Sequence, residues 1–233
     1  MSRHPKLYLH HLAAETLTVV CVADLHGVAW PEVPECDLLL VAGDVESAYL
    51  HPHDDEGQRR HLCGPFSRWL GAAPAKHKVG VAGNHDFLAS RRPSLHRELD
   101  WHYLEDESIK LEGLIIHGSP WTLPFFDWAF MLPEEELAKK WELVPDDCDI
   151  LVTHCPPYGL GDLVNNDLPV DPHQGSRALR ALVDRHPTLR LHVFGHIHEG
   201  YGRGALANGG RWVNASAVDE AYRPLNAPVI AEL

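Results

Sequence analysis

Five short apolar runs in this chain end, one after another, in side chains that ligate metals. LTVVCVA (17–23) leads to Asp24 and His26, and DLLLVA (37–42) leads to Gly43-Asp44. KVGVA (78–82) precedes Gly83-Asn84-His85-Asp86, DILV (149–152) precedes Thr153-His154, and LRLHVF (189–194) precedes Gly195-His196 with His198 two further on. Short β-branched and leucine-rich runs of this kind read as buried strands. If every strand terminates in a metal-type side chain, those side chains share one edge of a sheet. One pattern therefore constrains the fold and the site together.

The rest of the chain reads in the same terms. Leu62, Phe66, Trp69 and Leu70 recur at helical spacing within 57–71, with Gly71 as its expected C-cap. Pro93 opens a short helix over 93–99, and Pro133 with three glutamates opens another over 133–142, their charge suiting the helix dipole. IKLEGLIIHGSP (109–120) is a hairpin turning at Glu112-Gly113, residues 174–186 form a helix, and a second hairpin turns at Asn208-Gly209 before a last strand, PVIAEL. Strands alternating with helices early, then hairpins, predict an α/β fold: a two-sheet β-sandwich flanked by helices. At 233 residues and 45% hydrophobic, with no repeat or linker, the chain is expected to form a single domain over 1–233.

Residues i and i+2 of a strand face the same side, so Asp24 and His26 are expected on one ion, and His196 with His198 on another position beyond their own strand. Asp44 is the carboxylate placed to serve both ions, and Asn84 and His154 complete the second. Oxygen and imidazole donors of this kind accept Mn, Fe, Zn, Co or Ni. Two ions ~3.5–4 Å apart clamp the attacking and departing oxygens of an in-line displacement and activate a bridging hydroxide, so no Ser or Cys nucleophile is required. His85 is then free to protonate the leaving group, with Asp86 orienting its ring.

Taken in order, the blocks D-x-H, G-D, G-N-H-[DE], H and G-H-x-H resemble the calcineurin-like metallophosphoesterase superfamily. WLGAAPAKHKVGVAGNHDF (69–87), IIHGSPWT (115–122), KKWELVPDDCDILVTHCPP (139–157) and LHVFGHIHEGYG (191–202) look like its metallophosphoesterase-domain branch, related to cyclic-nucleotide phosphodiesterases. That resemblance implies the corresponding fold and two divalent ions, with manganese the expected metal. It implies Asp24, His26, Asp44 and His198 on the first ion, and Asp44, Asn84, His154 and His196 on the second. A member of this branch carries Gly at the first His of the last block; His196 here completes the set and implies an active enzyme. The sequence Gly43-Asp44-Val45-Glu46-Ser47-Ala48-Tyr49 lacks the arginine of the protein-phosphatase motif G-D-x-x-D-R-G, which argues against a protein phosphatase.

The expected activity is hydrolysis of small phosphodiesters such as cyclic nucleotides. The alternatives are a nucleotide phosphomonoesterase and a nucleotide-binding protein with vestigial catalysis. A net charge of −13, without a basic stripe, disfavours nucleic acid as a partner. Neither an export signal nor a membrane-length apolar run is read, and five cysteines without CxxC spacing fit a reducing cytoplasm. Among the remaining features, His10-His11 reads as surface, His51, His53, Asp54 and Asp55 as a solvated loop, and His117 as a packed strand residue. Cys155 reads as non-catalytic. The aromatic stretch WTLPFFDWAFML (121–132) reads mainly as a core plug, with a substrate wall as the alternative.

Overall fold

Four consecutive residues of the first strand, Val19 to Val22, are buried. A strand with no polar face must be covered on both sides, and the architecture follows from that. The computed structural model describes residues 16–165 and 171–233; His10-His11 and the start of the chain lie outside these residues. The strands are β1 (Thr18–Val22), β2 (Cys36–Ala42), β3 (Ala75–Val81), β4 (His102–Tyr103), β5 (Glu107–Leu111), β6 (Leu114–Ser119), β7 (Ile150–Thr153), β8 (Leu191–Phe194), β9 (Gly202–Ala205), β10 (Arg211–Asn214) and β11 (Val229–Glu232). One sheet has the order β11-β1-β2-β3-β4, the other β5-β6-β7-β8-β10-β9.

Strand alternation builds three cores. Val19, Cys21, Leu38, Leu40, Val79 and Val81 point from the first sheet into the sandwich, where they meet Ile116, Ile150, Val152, Val193 and Val213 of the second. The opposite residues of the first sheet, Val20, Val22, Leu39 and Val41, pack on Leu62, Phe66 and Leu70 of a covering helical segment. Leu151 of the second sheet packs on Leu137, Trp141, Leu179, Leu182 and Val183 of two further helices. The layers are thus helix, sheet, sheet, helix. The expected α/β sandwich is the observed fold.

The helices are α1 (Asp55–His61), α2 (Ser67–Ala72), α3 (Phe87–Arg91), α4 (Pro93–Arg97), α5 (Glu134–Trp141) and α6 (Arg177–Arg185). Between α1 and α2, a π-helical turn spans Leu62–Phe66 and contains Pro65. Proline lacks the N–H for an i→i−4 bond and crowds that carbonyl, and a wider turn accommodates it. Gly71 lies inside α2, whose cap is Ala73, so the expected glycine C-cap is corrected. The Glu112-Gly113 turn holds both residues at positive φ (48° and 81°), the geometry of a tight two-residue hairpin.

Strands β1, β2 and β3 run parallel in one sheet, and β6, β7, β8 and β10 run parallel in the other. Open parallel sheets bind ligands beyond the carboxyl ends of their strands. Asp24, Asp44, Asn84, His154 and His196 all follow such ends directly.

Candidate metal centre

The local backbone at these strand ends is left-handed rather than extended. Asp24, His26, Asp44 and His196 have φ of 52°, 48°, 53° and 71°. Such conformations cost side-chain-bearing residues about 1 kcal/mol or more each and concentrate at functional sites. Asp24 and His26 converge because the chain turns sharply after β1; strand alternation, the expected cause, has no part in it. Two glycines allow the loops to close on the carboxylates. A Cβ on Gly83 would lie 2.3 Å from Asp44 Oδ1, and one on Gly195 would lie 2.4 Å from Asp24 Oδ2.

Asp44 stands at the middle of the cluster. Its Oδ2 is 3.6 Å from His26 Nε2 and 3.4 Å from His154 Nε2, while its Oδ1 accepts from the His85 amide at 2.7 Å. Among the described residues, three sets of donor atoms lie within 4.8 Å of one another: Asp24, His26 and His198; His26, Asp44 and His85; and Asp24, Asp44 and His154. Asn84 Oδ1 is 2.8 Å from His154 Nε2. The His196 ring lies 5.0 Å from that of His154 and belongs to none of these three-donor sets. Of this pair, His198 joins the set with Asp24 and His26 and His196 does not, the left-handed residue at 196 turning the chain between them.

The donor chemistry fits divalent cations. His154 Nδ1 is 2.9 Å from the Ala42 carbonyl and His198 Nδ1 is 3.0 Å from the Asp219 carbonyl. A carbonyl can only accept, so each Nδ1 carries a proton, which leaves Nε2 as the ring nitrogen turned toward the cluster. His26 Nε2 and His198 Nε2 face each other at 3.2 Å, an arrangement that a cation relieves. Burial pushes His26 well below the ordinary histidine value. Burial would raise the Asp44 carboxyl, yet His154, His85 and His26 hold it well below the usual carboxylate range. Burial likewise opposes charge on His154, but Asp44 beside it raises its pKa to about 9. A divalent cation bound by these side chains would displace that proton.

One expected role takes a different form. Asp86 accepts from the amides of Gly83 (2.7 Å), Glu46 (2.8 Å) and, at 3.4 Å, Val45. Its hydrogen bonds clasp the loops after β2 and β3 together; they do not orient the His85 ring. That ring packs against His26 (4.9 Å) and Trp128 (4.6 Å), and among the described residues no hydrogen bond reaches it. His51, His53, Asp54 and Asp55 form no ligand set: Asp54 caps α1 through the Gly57 amide and Asp55 pairs with Arg91. Buried Cys155 has its thiol pushed up to about 12, so it stays protonated.

The sequence reasoning missed Ser216, whose hydroxyl donates to Asp24 Oδ2 and lies 2.8 Å from Asn214 Oδ1. Asn214 in turn donates to the carbonyls of Gly161 and Ile197. The parallel pairing of β10 with β8 and a parallel bridge from Ser216 to Ala23 bring these residues to the site.

Above the cluster opens a cavity of about 490 Å³. Asn84, His85, His196 and His198 form its polar floor, and Leu123, Phe125, Trp128 and Ile197 contribute an apolar wall. The aromatic stretch therefore divides: Ala129 and Phe130 are buried, as a core plug requires, whereas Phe125 and Trp128 line the cavity. The Ala129 amide donates to the Asn84 carbonyl and ties this loop to the one that carries Asn84 and His85.

The profile of the calcineurin-like phosphoesterases matches residues 17–200. Human metallophosphoesterase domain-containing protein 1 is 34% identical over 242 residues, covering 92% of this chain and 70% of that protein. A 3′,5′-cyclic-nucleotide phosphodiesterase of Nostoc sp. is 28% identical over 177 residues, covering 73% of this chain and 59% of that protein. A putative 5′-nucleotidase from Staphylococcus aureus shares the fold, with a TM-score of 0.52 and 12% identity, over 93% of this chain and 54% of its own.

Proposed function

The chain belongs to the calcineurin-like phosphoesterase family, hydrolases of phosphoric esters, and within it we propose a metal-dependent phosphodiesterase for small diesters such as cyclic nucleotides. The observation that carries this reading is the Asp44 carboxylate, set between His26 and His154 with further donors on either side. Asp24, His26, Asp44 and His198 would hold one divalent ion, and Asp44, Asn84, His154 and His196 the other. Oxygen and imidazole donors suit manganese, with Fe, Zn, Co and Ni as competitors. When bound, such ions neutralise the phosphoryl oxygens and activate water at neutral pH.

The protein's own groups supply the remainder. Burial keeps the free His85 imidazole neutral. An anionic phosphoryl group entering the cavity favours the protonated ring, which can then donate to the departing oxygen. Phe125 and Trp128 offer apolar faces to the organic part of the ester, which supports a nucleoside-like group. No helix among the described residues is long and apolar enough to cross a membrane. Five free thiols, four of them buried, support a cytoplasmic setting.

The test is hydrolysis of bis(p-nitrophenyl) phosphate beside p-nitrophenyl phosphate by metal-stripped protein resupplied with Mn²⁺. Faster turnover of the diester, restored only by metal, is the expected result. Preference for the monoester would make the protein a phosphomonoesterase. Metal binding without turnover of either ester would leave nucleotide binding as the function.

A further inference from the structure

No motif points to Tyr222, yet it stands over the centre. Its ring lies 4.8 Å from that of His26, 5.4 Å from His198 and 6.3 Å from His85, and it lines the cavity. Its φ is +58°, a left-handed conformation that disfavours a residue carrying a ring. A short turn imposes that conformation. The Tyr222 amide donates to the Asp219 carbonyl (2.9 Å), while the Asp219 carboxylate accepts from the amides of Ala221 (3.0 Å) and Arg223 (2.8 Å). The same Asp219 carbonyl accepts from His198 Nδ1. One turn thus orients a candidate metal ligand and presents an aromatic ring beside it.

The charge around the cavity is also one-sided. Glu199 and Glu220 line it, and no Lys or Arg does so among the described residues. Arg223, the one cation on the turn, is drawn onto Asp219 by a 2.7 Å bond from Nε. A substrate's phosphoryl charge can be met by bound metal and the histidines. A second anionic group on the same molecule meets carboxylates.

We propose that the turn 219–223 is the specificity element of this site, selecting phosphodiesters whose non-leaving group is planar and uncharged. Tyr222 packs against that group, and Glu220 repels additional anionic groups. This rests on the phosphodiesterase reading above and narrows its substrate class: diesters of aromatic alcohols or unphosphorylated nucleosides are favoured, and diesters bearing a further phosphate are rejected.

The test compares bis(p-nitrophenyl) phosphate with methyl p-nitrophenyl phosphate, which share a leaving group and differ in the other ester arm. In Tyr222→Asn, kcat/KM for the diaryl ester falls about tenfold and that for the methyl ester less than about twofold. The melting temperature does not fall, because Asn adopts left-handed φ readily. Tyr222→Phe keeps the ring and the wild-type ratio. In Glu220→Gln, the ratio of kcat/KM for 3′-phosphorylated thymidine 5′-(p-nitrophenyl phosphate) to that for the unphosphorylated ester rises about threefold, a gain that shrinks in high salt. Unchanged ratios in both variants of an active enzyme would overturn this inference alone. Failure of the metal-loaded wild type to hydrolyse any of the four esters would remove the phosphodiesterase reading, and this one with it.

Discussion

The hydroxyl of Ser216 donates to Oδ2 of Asp24, joining residues 192 positions apart. The amide of His196 donates to the same carboxylate at 3.0 Å. Asp24 is therefore held from two directions before any ion binds. Ser216→Ala should weaken metal affinity about 10–100-fold while leaving the fold intact, as loss of a ligand's supporting hydrogen bond does elsewhere. Competition against a chromogenic chelator measures this, and unchanged affinity would count against Asp24 as a ligand.

His85 can be a proton donor or, by its proximity to His26 and Asp44, a ligand. As a proton donor, its replacement in His85→Ala should lower kcat by about 10²–10⁴ for alkyl leaving groups. The loss should be much smaller for p-nitrophenol, which departs without a proton. Metal stoichiometry should remain at the wild-type level. Loss of one metal equivalent, read by atomic emission, would assign His85 as a ligand.

Asp86 holds the loops that carry Asp44 and Asn84. Asp86→Asn places an NH₂ group against backbone N–H donors, which should destabilise the fold by about 2 kcal/mol and weaken metal binding as well. Denaturant unfolding and metal titration read the two effects separately. If catalysis alone suffered, with metal affinity unmoved, Asp86 would act through the His85 ring after all.

His96 is fully buried, both ring nitrogens lack hydrogen-bond partners among the described residues, and burial lowers its pKa to about 3. In the unfolded chain it titrates near ~6.5. Between these values the unfolded state binds a proton that the folded state refuses, so stability is complete above pH ~6.5 and drains away as the pH falls toward 3. His96→Phe, which preserves the packing on Trp101 and Tyr103, should flatten the acid limb of a melting-temperature profile. An identical acid limb in the variant would show that other groups govern acid unfolding.

Much of this protein could be read from its sequence because the relevant signals are local. An apolar run closed by a ligand-type residue marks a strand and its functional end together, and Glu112-Gly113 marks a hairpin because few residues tolerate its backbone. Other features depend on contacts that no window of sequence contains. RWVN looks like half of a hairpin, yet its parallel pairing with β8 and the bridge from Ser216 to Ala23 deliver Asn214 and Ser216 to Asp24. The left-handed turns at Asp24, His26 and His196 decide which donors converge, and the loop amides decide what Asp86 does. The sequence alone therefore determined the fold class and the inventory of metal-type donors, since both follow from periodicity and residue chemistry. The tertiary structure alone decided the grouping of those donors, the residues that hold them and the place of Tyr222, because these depend on strand direction and loop closure between distant segments.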